Sequence, residues 1–427
     1  MVLNRKFSAF LLMILFTYVN NPFYFAVITP IHKAFYYGIA LLPIFLALQK
    51  GFLYGKNFGS YAKLFFLYFI SIFLVIIVSC SLDFQYLNYF VRLFVGLCAS
   101  LSIFCIWNYE SKLGHIQEDF EIIYIKSVAF YIFGTVAFIA IPSLKAFWQT
   151  LIVDFGEQDF SDILEYVTRF GFAGFSGFGC AFMVSAAGVI MCYLFLNKKI
   201  SMKQCKFYSV VFIIGSFFYG RIGFVVSLFT CGMLALYLLF HKKTKLFNFY
   251  IFIVAFLIFL GFILYFAIPN IQPFLDWLLE PVFNFIENGK FESASTNDLG
   301  NMYENFSPSD KTLAIGDGYW IGLDGKGYYG KTDVGFMRNI LFGGIFYCIL
   351  LYSLIGFFLF FLYQSLKSGK KKGSGFLVLV MFIQFLLFEL KGDITFLFLK
   401  TYIPFYVYLF YENMKHSRER IMQATRS

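Results

Sequence analysis

The stretch "KFYSVVFIIGSFFYGRIGFVVSLFTCGMLALYLLFHKK", residues 206–243, decides how this chain is folded. Lysines crowd both of its ends: "NKKISMKQCK" runs up to Lys206, and "HKKTK" begins at His241. As a single helix, residues 207–240 would be about 51 Å long at 1.5 Å per residue, too long for a hydrocarbon core of about 30 Å. Basic loops mark one side of a membrane, so the segment must cross and return. Gly220 and Gly223 permit a tight reversal, and Arg221 stands at the turn. An arginine there either snorkels from a helix end or has a function, because a charge at the lipid boundary is expensive to keep.

The same pattern extends in both directions. The chain has 427 residues, 60% of them hydrophobic and only 14% charged, against roughly half and a quarter in soluble domains. Its repeated apolar runs place it among all-α polytopic membrane proteins, one integral-membrane unit over residues 1–427. Twelve crossings are expected, at 7–28, 33–49, 64–81, 87–108, 122–142, 173–196, 206–220, 222–241, 246–268, 338–363, 375–390 and 394–411. "NRKFSAFLLMILFTYV" has the look of a secretory leader but no small-residue cleavage site follows, so it is read as an uncleaved first span.

Twelve crossings return both termini to one side. That side collects 22 of the 34 Lys and Arg, from Arg5 and Lys6 to Arg426. The opposite side holds 18 of the 24 acids; the exceptions are Glu110, Glu118, Asp119, Glu121, Glu412 and Glu419. The net charge of +10 is therefore mostly a topology signal and not a nucleic-acid footprint. Both termini are expected in the cytoplasm. The eight cysteines lie in or beside apolar runs, with no disulfide framework and no zinc spacing.

Two long segments fall on the far side. Residues 143–172, "SLKAFWQTLIVDFGEQDFSDILEYVTRFGF", repeat apolar residues at helical spacing and predict amphipathic helices lying on the membrane. Residues 269–337 form the larger segment. It opens with the interfacial-looking "QPFLDWLLEPVFNFIENG", continues through the turn-rich "KFESASTNDLGNMYENFSPSD", and ends in "LAIGDGYWIGLDGKGYYGKTDVGFMRNILFGGIF". In the last part glycines punctuate Tyr319, Trp320, Tyr328 and Tyr329. Two readings stand there: a short hairpin whose rings pack on the bundle, or an aromatic platform for sugar rings.

Arg92, Arg169, Arg221, Arg338 and Lys391 are all expected at one depth on that face. Arginine forks suit phosphate oxygens, so the set is consistent with an anionic ligand held at the membrane boundary. Asp333 stands five residues before Arg338; it is either a carboxylate placed at a helix N-terminus or a proton acceptor. There is no D-x-D, no H-E-x-x-H and no nucleotide loop, and the histidines His32, His115, His241 and His416 are scattered. Neither a metal nor a cofactor is expected. A transferase of this kind would need a substrate carrying its own leaving group, which a lipid pyrophosphate does.

At this point "SFFYGRIGFVVSLF" resembles the R-x-G segment of the O-antigen polymerase (Wzy) and O-antigen ligase families. "RFGFAGFSG" resembles their earlier arginine segment, and "AIGDGYW…KTDVGFMRNILFGGIF" the polymerase pattern after the large periplasmic loop. Ligases carry a His where this chain has Asp333, which favours the polymerase. The resemblance implies a multi-pass protein of the bacterial inner membrane that polymerises undecaprenyl-pyrophosphate-linked repeat units for lipopolysaccharide. The segments 143–172 and 269–337 would then be periplasmic. It further implies that Arg221 and Arg169 hold the pyrophosphate and that Asp333 takes the acceptor proton. Arg338, Lys391, Arg92, Tyr319 and Trp320 would bind substrate. The partners would be lipid-linked glycans, membrane lipid and a chain-length regulator, with no nucleic acid. A lipid-linked oligosaccharide flippase and an O-antigen ligase remain the alternatives. Lys400, inside the last span, is the residue that leans toward a transporter.

Overall fold

The computed structural model describes residues 5–50, 56–81, 83–152, 170–175, 177–241, 247–253, 255, 272–290, 292–325 and 327–405. The chain is helical almost throughout. Helices α1 (Arg5–Asn20), α2 (Thr29–Lys50), α3 (Lys56–Ser79), α4 (Gln85–Lys112) and α5 (Phe120–Ala140) come first, followed by the short α6 (Pro142–Leu151). Next come α7 (Phe178–Leu196), α8 (Met202–Tyr219) and α9 (Arg221–Phe240). Three short helices, α10 (Gln272–Asn288), α11 (Ala294–Glu304) and α12 (Asp310–Ile315), precede α13 (Gly335–Ser368), α14 (Ser374–Glu389) and α15 (Thr395–Thr401). Among the described residues, five helices (α4, α5, α7, α9 and α13) are long and apolar enough to cross a membrane, and shorter apolar helices accompany them. The chain is membrane-embedded.

α7 is the hub. It packs on α5, α8, α9 and α14, and its residues from Cys180 to Leu194 are all buried. Its small residues let neighbours approach closely, as expected between helices that gain nothing from the hydrophobic effect in lipid. A Cβ added to Gly223 of α9 would lie 2.7 Å from the Ala181 Cβ. A thread of polar groups joins the same helices: Ser185 Oγ meets Ser227 Oγ at 3.1 Å, and Gln384 Nε2 donates to Thr230 Oγ1 at 2.6 Å and to the Ser185 carbonyl at 3.1 Å. A second core joins α3, α4 and α13 around Tyr68, Tyr86, Phe342 and Tyr347, whose three hydroxyls are linked through Tyr68.

The loops sort to two ends. At one, Lys199 pairs with Asp119 at 3.2 Å and Glu121 at 3.4 Å, and the Lys372 N–H donates to Asn197 Oδ1 at 3.0 Å. The lysine-rich loops after α7 and α13 thus share that end with the start of α5. The α8–α9 turn lies at the other end of α8, about 27 Å away at 1.5 Å per residue.

Two local expectations change. The turn-rich stretch after Lys290 contains a helix, α11, because Ser293 and Thr296 form a reciprocal capping box. The arginine-led segment near 170 does not run straight into a span: Phe170–Gly171 pairs antiparallel with Gly174–Phe175, and α7 begins only at Phe178. Within 143–172, helix α6 is present, and residues 153–169 lie outside the described residues.

α13 is two helices. Gly344 adopts φ 74°, ψ −175°, a conformation open essentially to glycine alone. The Leu341 and Phe342 carbonyls accept the N–H groups of Asp317 (2.7 Å) and Gly318 (2.9 Å). A break in an apolar helix is tolerated where protein, not lipid, satisfies the freed groups. The piece 345–368 is about 36 Å long at 1.5 Å per residue, enough to cross the hydrocarbon by itself. The expected span 338–363 is therefore displaced, and Arg338 rides on a separate half-helix ahead of it.

Candidate functional site

Gly220 links α8 to α9 with φ 149° and ψ 153°, and Arg221 is the first residue of α9. Its Nη2 donates to Glu280 Oε2 at 2.8 Å, and its side chain is 15% exposed. The other Glu280 oxygen accepts the Ala294 N–H at 2.7 Å. One carboxylate therefore clasps the arginine and also neutralises the N-terminus of α11, where a negative charge is favoured. Arg221 fastens the 272–304 region to the bundle.

The second station is built from α13, the α14–α15 turn and the loop ahead of α13. Arg338 is buried, with its guanidinium carbon 3.7 Å from the Trp320 ring centroid and 3.5 Å from that of Tyr328. A desolvated cation over aromatic faces gains about 2 kcal/mol. Trp320 is fixed in turn: its backbone N–H donates to Asp83 Oδ2 at 2.7 Å, and its ring meets Tyr86 at 4.4 Å. A β-bridge between Ile321 and Tyr328 closes the hairpin that carries both rings.

Two carboxylates lie near this sandwich, Asp393 within electrostatic reach of Arg338 and Glu389 bonded to the neighbouring Asn339. Glu389 is buried and satisfied: Oε1 accepts Tyr352 Oη at 2.9 Å and Asn339 Nδ2 at 3.2 Å, and Oε2 accepts the Ile394 N–H at 3.0 Å. Gly335 makes room for it, since a Cβ there would sit 2.5 Å from Oε1. Asp393 is also buried and accepts the Thr395 N–H at 3.1 Å through Oδ1. Burial raises its carboxyl pKa above the usual value, with the Arg338 charge pulling the other way. Asn339 and Thr395 approach Asp393 but without hydrogen-bond geometry to its second oxygen. Arg338 Nε and Nη2, Asn339 Oδ1, Asp393 Oδ2 and Thr395 Oγ1 have no partner among the described residues. Each such buried orphan costs about 1–3 kcal/mol.

Arg169 lies outside the described residues. Asp333 is exposed, two residues ahead of α13. Lys391 is half-buried in the α14–α15 turn, and Arg92 is exposed on α4 within electrostatic reach of Tyr24. Tyr319 packs on Tyr329 at 5.3 Å. Trp320 is 5% exposed, so its faces are already covered. Lys400 is buried and donates to the Asn20 carbonyl at the C-terminus of α1, at 2.7 Å, where a cation is favoured.

Arg221 and Arg338 share an end of the bundle but not a contact. α11 spans the gap: Ala294 bonds Glu280 at its start, and near its finish Tyr303 Oη donates to the Leu390 carbonyl at 3.0 Å. That separation is about 13 Å along the helix at 1.5 Å per residue. Among the described residues no group of His, Cys, Asp and Glu suits a metal ion. Glu280, Asn339 and Thr395 carry no signal in the sequence, and nothing in "FELKGD", residues 388–393, signals that both of its carboxylates are buried. Compared with protein-family models, curated proteins and solved structures, the chain finds no match.

Proposed function

We propose that this chain is a metal-independent glycosyltransferase of the bacterial inner membrane that polymerises undecaprenyl-pyrophosphate-linked repeat units of a surface polysaccharide on the periplasmic side. In this reading it crosses the membrane twelve times, with both termini cytoplasmic and with 143–172 and 269–337 periplasmic. The observation that carries it is Arg221: a half-buried guanidinium at the head of an apolar helix, already engaged by an oxyanion. Glu280 stands where a phosphate oxygen of the lipid carrier binds, and the diphosphate displaces it.

The proposed chemistry takes its residue roles from the family resemblance. An acceptor hydroxyl oxygen attacks the anomeric carbon, its C–O bond forms, and the bond from that carbon to the diphosphate breaks. The diphosphate leaves with the bonding electron pair, stabilised by Arg221 and Arg169, and Asp333 accepts the hydroxyl proton. Preorganised donors of this kind contribute about 10²–10³ in rate each. Lys400, the residue that leans toward a flippase, donates to the Asn20 carbonyl.

Deletion of the gene tests the reading on a lipopolysaccharide gel. Polymerase loss leaves single repeat units attached to the lipid core. Loss of a flippase or a ligase leaves none, and that pattern would reject the polymerase.

A further inference from the structure

Arg338 has surroundings that do not fit the pyrophosphate role its charge invites. Glu389 and Asp393 both lie close to it, Glu389 through its bond to Asn339 and Asp393 within electrostatic reach. An incoming diphosphate would meet two carboxyl groups there and one guanidinium whose flat faces are already covered by Trp320 and Tyr328. The edge of the guanidinium is another matter. Nε and Nη2 are buried donors with nothing to donate to, and Asn339 Oδ1 and Asp393 Oδ2 are buried acceptors with nothing to accept. Thr395 Oγ1 can do either. All four residues are at least nine-tenths buried. They come from three places, the first turn of α13, the α14–α15 turn and the start of α15.

A set mixing unused donors with unused acceptors is complementary to groups that are themselves both, namely hydroxyls. A phosphate supplies acceptors alone and leaves Asn339 Oδ1 and Asp393 Oδ2 unmatched. We infer that Arg338, Asn339, Asp393 and Thr395 form a binding site for a neutral, hydroxyl-rich ligand, a saccharide unit, separate from the anion station at Arg221. Tyr328, 42% exposed, is the outer of the two rings. The assignment rests on the glycosyltransferase reading for the source of the ligand; the donor and acceptor inventory stands without it.

Trp320 reports on this site directly, because its ring lies on Arg338. With Trp107, Trp148 and Trp277 changed to Phe, the full chain in lipid nanodiscs keeps Trp320 as its single indole. Its emission is titrated with a panel of neutral monosaccharides and with inorganic pyrophosphate. The expected result is a saturable change with at least one sugar and none with pyrophosphate. Thr395→Val, which keeps the side-chain shape, should weaken the sugar response about tenfold, the worth of one hydrogen bond. A saturable pyrophosphate response would overturn the assignment in favour of an anion site. A response to neither probe would mean that water fills these bonds, and would also sink it. If sugar binds and Thr395→Val weakens it, the site stands even where gene deletion leaves no attached repeats and the polymerase reading fails.

Discussion

Arg221 and Glu280 are 59 positions apart in the chain, and their side chains meet at 2.8 Å. The contact makes the arginine both a candidate anion donor and the anchor of the 272–304 region, and the two roles separate by substitution. Arg221→Ala should abolish the polysaccharide ladder, a drop of about 10²–10³ in polymer formation, with the protein still present in the membrane. Glu280→Gln retains a hydrogen-bond acceptor and frees the guanidinium; polymer formation should stay within about tenfold of the parent. Blots for abundance alongside the gel decide it. A full ladder from Arg221→Ala removes the proposed role.

Asp393 predicts a pH dependence with a definite sign. Its folded-state pKa is raised by burial, so the folded protein binds this proton more tightly than the unfolded chain. The associated stability is present below the unfolded carboxylate value, about 3.9, and is lost as pH rises through the folded value. Asp393→Asn should flatten that slope without lowering stability at neutral pH. Thermal unfolding in nanodiscs across the acidic range measures it, and an unchanged slope would contradict the assignment.

Gly344→Ala should be among the most damaging single changes in α13. The substituted Cβ would lie 2.4 Å from the Ala314 carbonyl oxygen, in a backbone conformation that side chains avoid. A loss of more than about 2 kcal/mol is expected. Gly356, in the same helix, has nothing within 4 Å of its added Cβ, so Gly356→Ala should be neutral or slightly stabilising. Unfolding in mixed detergent compares the pair.

Lys400→Met distinguishes a structural lysine from a transport residue. The exchange removes a buried charge and keeps the length of the side chain, so stability should change by less than about 2 kcal/mol. The ladder should persist. Loss of every attached repeat would revive the flippase.

Topology is accessible through α11. Gly300→Cys adds a side chain into open space, and Cys80, exposed on the protein, is first changed to Ser. An impermeant thiol reagent applied to spheroplasts should label Cys at 300 from outside. Protection there would invert the proposed orientation.

The helical, membrane-embedded architecture was legible because it is written in composition and in the spacing of lysines. The reversal at Gly220 was legible for the same reason: no single helix fits between Lys206 and His241. The site was legible only as isolated charges. Arg221 and Arg338 announced themselves by their apolar neighbours, whereas their partners did not. Glu280 sits in an amphipathic helix that looks solvated, and Asn339 is an ordinary polar residue until α14 is packed against it. The break at Gly344 was hidden because "LFGGIF" is equally compatible with a continuous helix; the loop at 316–318, which takes its carbonyls, is what decides.

The split in α13 has a mechanical consequence. A membrane rod responds to thinner or thicker bilayers by tilting, and a continuous helix would carry that tilt straight to Arg338. With a glycine joint between them, and with the upper piece held by Asp317 and Gly318, the lower rod can lean while the upper piece keeps its orientation. Polymer output should then vary little between short-chain and long-chain lipids.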